Sequence, residues 1–452
     1  MLKYNIMNKD NYLTEGKILG PLLKFAMPVL GALVLQCMYG AVDLIVVGKY
    51  GSAADIAAVA TGAQIMNVLT HLLTGFSTGT TVLVGRFIGE KKKDEAGRAI
   101  AAGIELFAIM GLFLMCFTLI FARPITSLMN AQVEAFDKTV EYLSVCGSGF
   151  LFIAAYNLLG SIFRGLGDSK TPLISVAIAA ALNIGGDIYF VKVLGLAAKG
   201  AAIATVMSQS ISVIICFFII RKRGLPFDFG KESFKGIKAH VKQTIKLGTP
   251  IAFQSIMVSL SFSVIVSIVN NISLAASAGI GVAEKVCAFI MLVPTAFSQA
   301  LAAFVAQNMG AEKPKRAEKG LLYSMLASFA IGIFIAALTY FRGYWLTGIF
   351  TKDQEVIMAS WEYLKAYAID VLLTSWMFSF VGYFNGCGCT AFVMAQGVIS
   401  AFGVRVPVSY LMSKQVPVSL FKIGLATPCS TMLQIIMCIV YYAYRHRKKI
   451  DS

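Results

Sequence analysis

A few polar residues set inside long apolar runs carry the chemistry this chain offers. Asp43 falls in MYGAVDLIVVG and Asp187 in LNIGGDIYF, with Asn183 four residues before Asp187. That spacing puts Asn183 and Asp187 on one face of a helix. Thr205 follows in the next apolar run. At a rise of ~1.5 Å per residue, Asp43, Asp187 and Thr205 all fall in the outer half of a bilayer. An ionisable side chain at the bilayer centre costs at least ~2.5–3.5 kcal/mol, so each marks function by default. Neighbouring carboxylates raise one another's proton affinity, and hard cations favour oxygen ligands. Asp43, Asn183, Asp187 and Thr205 together suit a proton or a Na⁺ ion. The competing reading is that each aspartate bonds a neighbouring helix and only fixes packing.

Other polar residues could line the same space. Asn157, Gln36 and Tyr39 are candidates for a cavity wall, with hydrogen bonding between helices as the alternative. Pro28 and Pro250 occupy matching places in two apolar runs, where a proline bends a helix. Further along, Glu284 adjoins Lys285, and Asp370 follows Lys365. Snorkelling explains the first pair, and Asp370 is a further candidate for the cavity. Arg405 has no charged partner within a turn and is placed to neutralise an acid on another helix. Lone His71 reads as a buried, satisfied histidine. The repeat described below puts apolar residues near Ile265 and Val408, where the first half has Asp43 and Asp187.

The enzyme motifs are missing or out of context. No G-x-x-x-x-G-K-[ST] occurs, so the chain has no P-loop, and H-E-x-x-H is absent as well. GFSTG at 75–79 has the G-x-S-x-G form. A nucleophile elbow needs a strand–turn–helix setting, whereas this stretch lies in a helical apolar run, where small residues let helices approach closely. Cys387 and Cys389 make a lone C-x-C without further donors. The other seven cysteines lie in apolar runs and read as small hydrophobes. No cofactor and no metal-ligand cluster is expected, apart from Na⁺ at Asp43, Asn183, Asp187 and Thr205.

The elements that must position these residues follow from composition. The chain is 58% hydrophobic and 14% charged over 452 residues, with mean hydropathy +0.76. Soluble domains carry nearly twice that share of charge. Apolar stretches of ~20 residues or more indicate membrane helices and exclude a β-barrel. Twelve spans are predicted at about 22–47, 54–85, 98–122, 139–164, 170–192, 197–220, 245–270, 277–309, 318–342, 358–385, 391–413 and 420–444. The net charge of +16 comes from short basic clusters between spans, which set orientation and do not indicate nucleic acid. The side bearing the termini holds 27 Lys and Arg, the other side 9. Both termini are therefore expected in the cytoplasm. The first twenty residues are polar and basic, without the apolar core of a signal peptide.

The chain also repeats itself. GRFIGEKKKDEAGRA at 85–99 resembles AQNMGAEKPKRAEKG at 306–320, and IFRGLGDSKT at 162–171 resembles YFNGCGCTAF at 383–392. LLKFAMPVL at 22–30 resembles TIKLGTPIA at 244–252. The reading is an all-α polytopic membrane protein, with two six-helix bundles related by a parallel internal repeat. It assigns residues 1–222 to a first lobe, 223–243 to a basic linker and 244–452 to a second lobe. Parallel repeats of this kind recur in secondary transporters.

Four stretches make the chain similar to the multidrug and toxic compound extrusion (MATE) family, of the prokaryotic DinF-like type. They are KFAMPVLGALVLQCMYGAVD at 24–43, GFSTGTTVLVGRFIGEKK at 75–92, NLLGSIFRGLGDSKTP at 157–172 and LNIGGDIYF at 182–190. The resemblance implies a V of two bundles, whose cavity faces each side in turn. It also implies export of cationic or amphipathic drugs or toxic metabolites across the cell membrane against H⁺ or Na⁺, with no ATPase subunit. Family positions for the ion site match Asp43, Asn157, Asn183, Asp187 and Thr205, and a bent proline matches Pro28. An acid that the NorM-like branch uses in its seventh helix has no counterpart here. The rival reading is a flippase for a lipid-linked oligosaccharide or peptidoglycan precursor. It is disfavoured because only Lys285, Lys365 and Arg405 lie within spans.

Overall fold

The structure, a computed structural model, describes residues 13–450, with side chains to residue 447. Residues 1–12 of the polar N-terminal segment lie outside the described residues. The described residues form helices joined by short turns, with one longer connection at 224–237. Ten of the twelve predicted spans are α1 (Leu19–Tyr50), α2 (Ala53–Gly89), α3 (Lys93–Leu128), the pair α4 (Val133–Ser148) and α5 (Phe150–Gly165), α6 (Lys170–Asp187), α7 (Ala197–Arg223), α8 (Lys238–Asn270), the pair α9 (Leu274–Ile290) and α10 (Leu292–Gly310), α11 (Pro314–Gly348) and α12 (Gln354–Gly386). The eleventh is α13 (Thr390–Ser400) with α14 (Val406–Ser413), and the twelfth is α15 (Leu420–Gly424) with α16 (Ala426–Ile450). Eleven of these stretches are long and apolar enough to cross a bilayer, and the α4–α5 pair, bent by 52°, makes the twelfth.

Large apolar side chains on these helices face outward. Phe113, Ile120, Phe334 and Phe341 are 64–72% exposed, which water would penalise and lipid chains do not. The helix ends explain why the predicted edges fell short. Polar first and last turns extend beyond the hydrocarbon, and side-chain caps close them. Ser52 accepts from the Asp55 N–H at 3.3 Å, while the Asp55 carboxylate accepts from the Ser52 N–H at 2.9 Å, a reciprocal cap at the start of α2. Ser273 caps α9 by accepting from the Ala276 N–H, and Asp353 caps α12 by accepting from the Glu355 and Val356 N–H groups. α1 runs as one helix through Pro28.

The chain divides into two compact units. The first holds the residues up to Gly16, then Leu23–Ala252 and Ala306–Lys313. Its core includes Val59, Leu73, Leu83, Phe107, Leu143 and Phe150. The predicted linker is ordered within this unit. Ile237 packs on Ala101 and Ala102 of α3, and His240 pairs with Glu95 at 2.7 Å. The late stretch Ala306–Lys313 is tied into the same unit. Gln307 donates to the Gly165 carbonyl at 2.9 Å, and Asn308 to the Leu13 carbonyl at 3.1 Å. Lys313 donates to the Thr14 carbonyl at 3.1 Å.

The second unit holds Lys17–Leu22, Phe253–Val305 and Pro314–Ser452. Its core gathers Ile265, Ile280, Val286, Tyr363, Leu364 and Val371 from α8, α9 and α12.

Candidate ion site in the first unit

α1, α6 and α7 bring four of the predicted residues together. Asp43 comes from α1, Asn183 and Asp187 from the last turns of α6, and Thr205 from α7. α6 stays helical to Asp187 and then widens into a π-turn at Ile188–Val193, a device frequent at functional sites. Thr205 Oγ1 donates to Asp43 Oδ2 at 3.2 Å. Asn183 Nδ2 donates to Thr205 Oγ1 at 3.4 Å. The Asp43 and Asp187 carboxyls approach closely enough to interact directly. Asn183 and Asp187 are fully buried, and Asp43 is 4% exposed.

The group carries more acceptors than donors. Asp43 Oδ1, Asn183 Oδ1 and both carboxyl oxygens of Asp187 have no hydrogen-bond partner among the described residues. Leaving such groups bare in a low-dielectric interior costs several kcal/mol per charge. A proton shared between the carboxyls, or a cation taking the free oxygens, removes that cost. The arrangement presents the free oxygens that a proton or a hard cation would take.

The remaining candidates have other hydrogen-bond partners. Asn157 Nδ2 donates to the Ile153 carbonyl of its own helix at 2.8 Å. Gln36 Nε2 donates to the Tyr156 hydroxyl at 2.7 Å, and the Tyr39 hydroxyl to the Val176 carbonyl at 2.7 Å. These bonds tie α1 to α5 and α6. Asp370 belongs to the second unit, where it is buried and accepts from Thr431 at 2.7 Å. Sequence reasoning missed Tyr142 and Cys146 of α4. Tyr142 is buried against Gly62, and both lie within electrostatic range of Asp43. Their spacing of four residues in one span was the signal available.

The G-x-S-x-G stretch lies inside α2. Ser77 Oγ donates to the Asn157 carbonyl at 3.0 Å. A Cβ on Gly75 would meet the Ala252 backbone at 2.5 Å, and one on Gly79 the Gly248 backbone at 3.0 Å. These small residues therefore serve close approach of α2 and α8, and Ser77 is no nucleophile. His71 is half-buried.

A twice-repeated set of membrane-length helices with buried carboxyls defines the class: a polytopic helical membrane protein. The sequence profile of the MatE family matches residues 28–189 and 250–411, an offset of 222 at both ends. The chain belongs to the MatE family, and the double match confirms the internal repeat. It is similar to the "Probable multidrug resistance protein YoeA" of Bacillus subtilis, at 25% identity over 94% of this chain and 93% of that protein. It is also similar to the "Probable multidrug resistance protein NorM" of Thermotoga maritima, at 26% identity over 94% and 91%. A solved structure described as the "outward-facing conformation of a multidrug resistance MATE family transporter of the MOP superfamily" shares the fold. Its TM-score is 0.92 at 19% identity, covering 98% of this chain and 99% of that one.

Proposed function

We propose that this protein is an antiporter that exports cationic or amphipathic compounds in exchange for H⁺ or Na⁺ by alternating access. The observation that carries the reading is the excess of unpartnered oxygens at Asp43, Asn183 and Asp187. Relatives named as multidrug resistance proteins support the substrate class. The basic loops support termini in the cytoplasm of a cell-membrane protein.

In this scheme the cation enters from outside and neutralises the Asp43–Asp187 pair. Neutralisation removes the repulsion that keeps the carboxyls bare, and α1, which carries Asp43, rearranges with Pro28 as its bending point. Inward movement of one charge is driven by ~2.3 kcal/mol per 100 mV. Each pH unit adds ~1.4 kcal/mol. For a neutral compound the two terms add; for a monovalent cationic one exchanged one for one the charges cancel, and the ion gradient alone drives export, about tenfold per pH unit.

The test is ethidium transport in proteoliposomes, with H⁺ and Na⁺ gradients imposed separately. Transport driven by one gradient and abolished in folded Asp187→Asn is the expected result. Full transport in that variant sinks the scheme. No transport under either gradient, in folded protein, turns attention to lipid flipping, read by a scrambling assay.

A further inference from the structure

The matched stretches begin and end at an offset of 222, while the loops at 85–99 and 162–171 match theirs at 221; Asn183 and Asp187 lie near the end of the first stretch, so the offset of 222 is carried to the ion site. It sets Arg405 opposite Asn183, Ser409 opposite Asp187, Ile265 opposite Asp43 and, carried on, Thr427 opposite Thr205. The position matching Asp187 is thus the polar Ser409, one residue beyond the Val408 expected from sequence alone. The two constellations have opposite character. In the first unit, acceptors go without donors. In the second, the matching place holds a guanidinium.

Arg405 closes the π-turn Ala401–Arg405 and is 4% exposed. Its Nη1 donates to Ser261 of α8 at 3.0 Å. The guanidinium carbon lies 4.4 Å from the centroid of Phe262. Ser261 precedes Ile265 by one helical turn, so Arg405 reaches the helix and level where the first repeat holds Asp43. Asp370 of α12 lies within electrostatic reach of Arg405. The surrounding titratable groups are Glu284 and Cys287 of α9 and Tyr363 and Tyr367 of α12. Arg405 Nε has no hydrogen-bond partner among the described residues. An arginine stays charged at any relevant pH, so a buried one is a cation that cannot leave.

We propose that Arg405 is a tethered cation. It fills, in the second repeat, the place that an exchangeable H⁺ or Na⁺ takes in the first, and it neutralises Asp370. Only the first repeat then answers to the coupling ion. This rests on the ion-coupled reading of the first repeat given above. Its physical content is charge balance: a carboxylate compensated by a fixed guanidinium has no need of an ion from solution.

The test compares thermal unfolding midpoints of purified full-length protein in detergent. Na⁺ is varied against choline at constant ionic strength, and pH is varied separately. In Asp187→Asn the midpoint is expected to be flat in Na⁺. In Asp187→Asn/Arg405→Gln it should rise by several degrees, relative to Asp187→Asn, with added Na⁺ or on acidification, because Asp370 must now take up a cation. Adding Asp370→Asn should restore the flat response. Three results overturn the proposal: a Na⁺-dependent midpoint in Asp187→Asn with Arg405 intact, no new dependence on losing Arg405, or a dependence removed by Glu284→Gln and not by Asp370→Asn. If Asp187→Asn/Arg405→Gln does not fold, the chain with Asp370→Asn added decides. Recovery of folding supports charge compensation, and failure to recover overturns it. A wild-type protein with no cation response in unfolding or transport sinks the antiporter reading separately, while the Arg405 comparison still reports whether Asp370 is compensated.

Discussion

Thr205 is the residue through which the candidate ion site is wired. It gives its proton to Asp43 and accepts one from Asn183, so its loss unpairs two buried groups at once. A hydrogen bond to a charged group is worth ~1.5–3 kcal/mol, and ~1.4 kcal/mol is tenfold in affinity. The bonds here are long, so Thr205→Ala should weaken the apparent affinity for the driving cation by roughly tenfold. Thr205→Ser keeps the hydroxyl and should stay near wild type. Initial rates of drug transport against cation concentration would show this, and identical curves for Ala and wild type would remove Thr205 from the site. The acids of this site were legible in the sequence because a carboxylate stands out in an apolar run. Tyr142 was not, since aromatic side chains are ordinary in membrane helices. Only the packing of α4 against Gly62 brings that ring near Asp43.

Helices in a membrane associate through close packing more than through water exclusion, so small residues decide where they meet. Gly75 is one such case, with the Ala252 backbone where its side chain would be. Gly75→Val should lower stability by ~1–3 kcal/mol or prevent folding. Gly281, also helical, has nothing within 4 Å of its missing Cβ. Gly281→Ala should be neutral or raise stability by up to ~1 kcal/mol. Thermal unfolding in detergent separates the two, and equal midpoints would show that α2 and α8 do not depend on this approach. Hydropathy located all twelve spans because each is an apolar stretch long enough to cross. It could not show the 52° bend at Gly149 or the π-turns after Asp187 and before Arg405. Those depend on how backbone hydrogen bonds are shared, and apolar content does not record that.

At the scale of the whole molecule, the uneven basic residues bear on orientation. Lys222, in the richest basic cluster, is expected to face the cytoplasm, and Lys352, in a sparse turn, the outside. With the native cysteines replaced, Lys352→Cys should react with an impermeant maleimide in intact cells, and Lys222→Cys only after permeabilisation. The reverse pattern would invert the orientation and the direction of the ion gradient used. The internal repeat was readable because its ends and loops kept their order at offsets of 221 and 222. The exchange of Asn183 for Arg405 between repeats became meaningful only once the two positions were seen to address α7 and α8 respectively.

The stretch Ala306–Lys313 has a consequence for how the protein is made. It supplies bonds to Gly165, Leu13 and Thr14 of the first unit, although 82 residues (224–305) separate it from that unit's sixth span, which ends at Arg223. A ribosome therefore releases the first six spans well before the residues that complete their packing exist. During that interval the nascent half must wait in the membrane with those polar partners unmade. A gene fragment ending at the basic segment would encode the first unit without the bonds that Ala306–Lys313 brings to it.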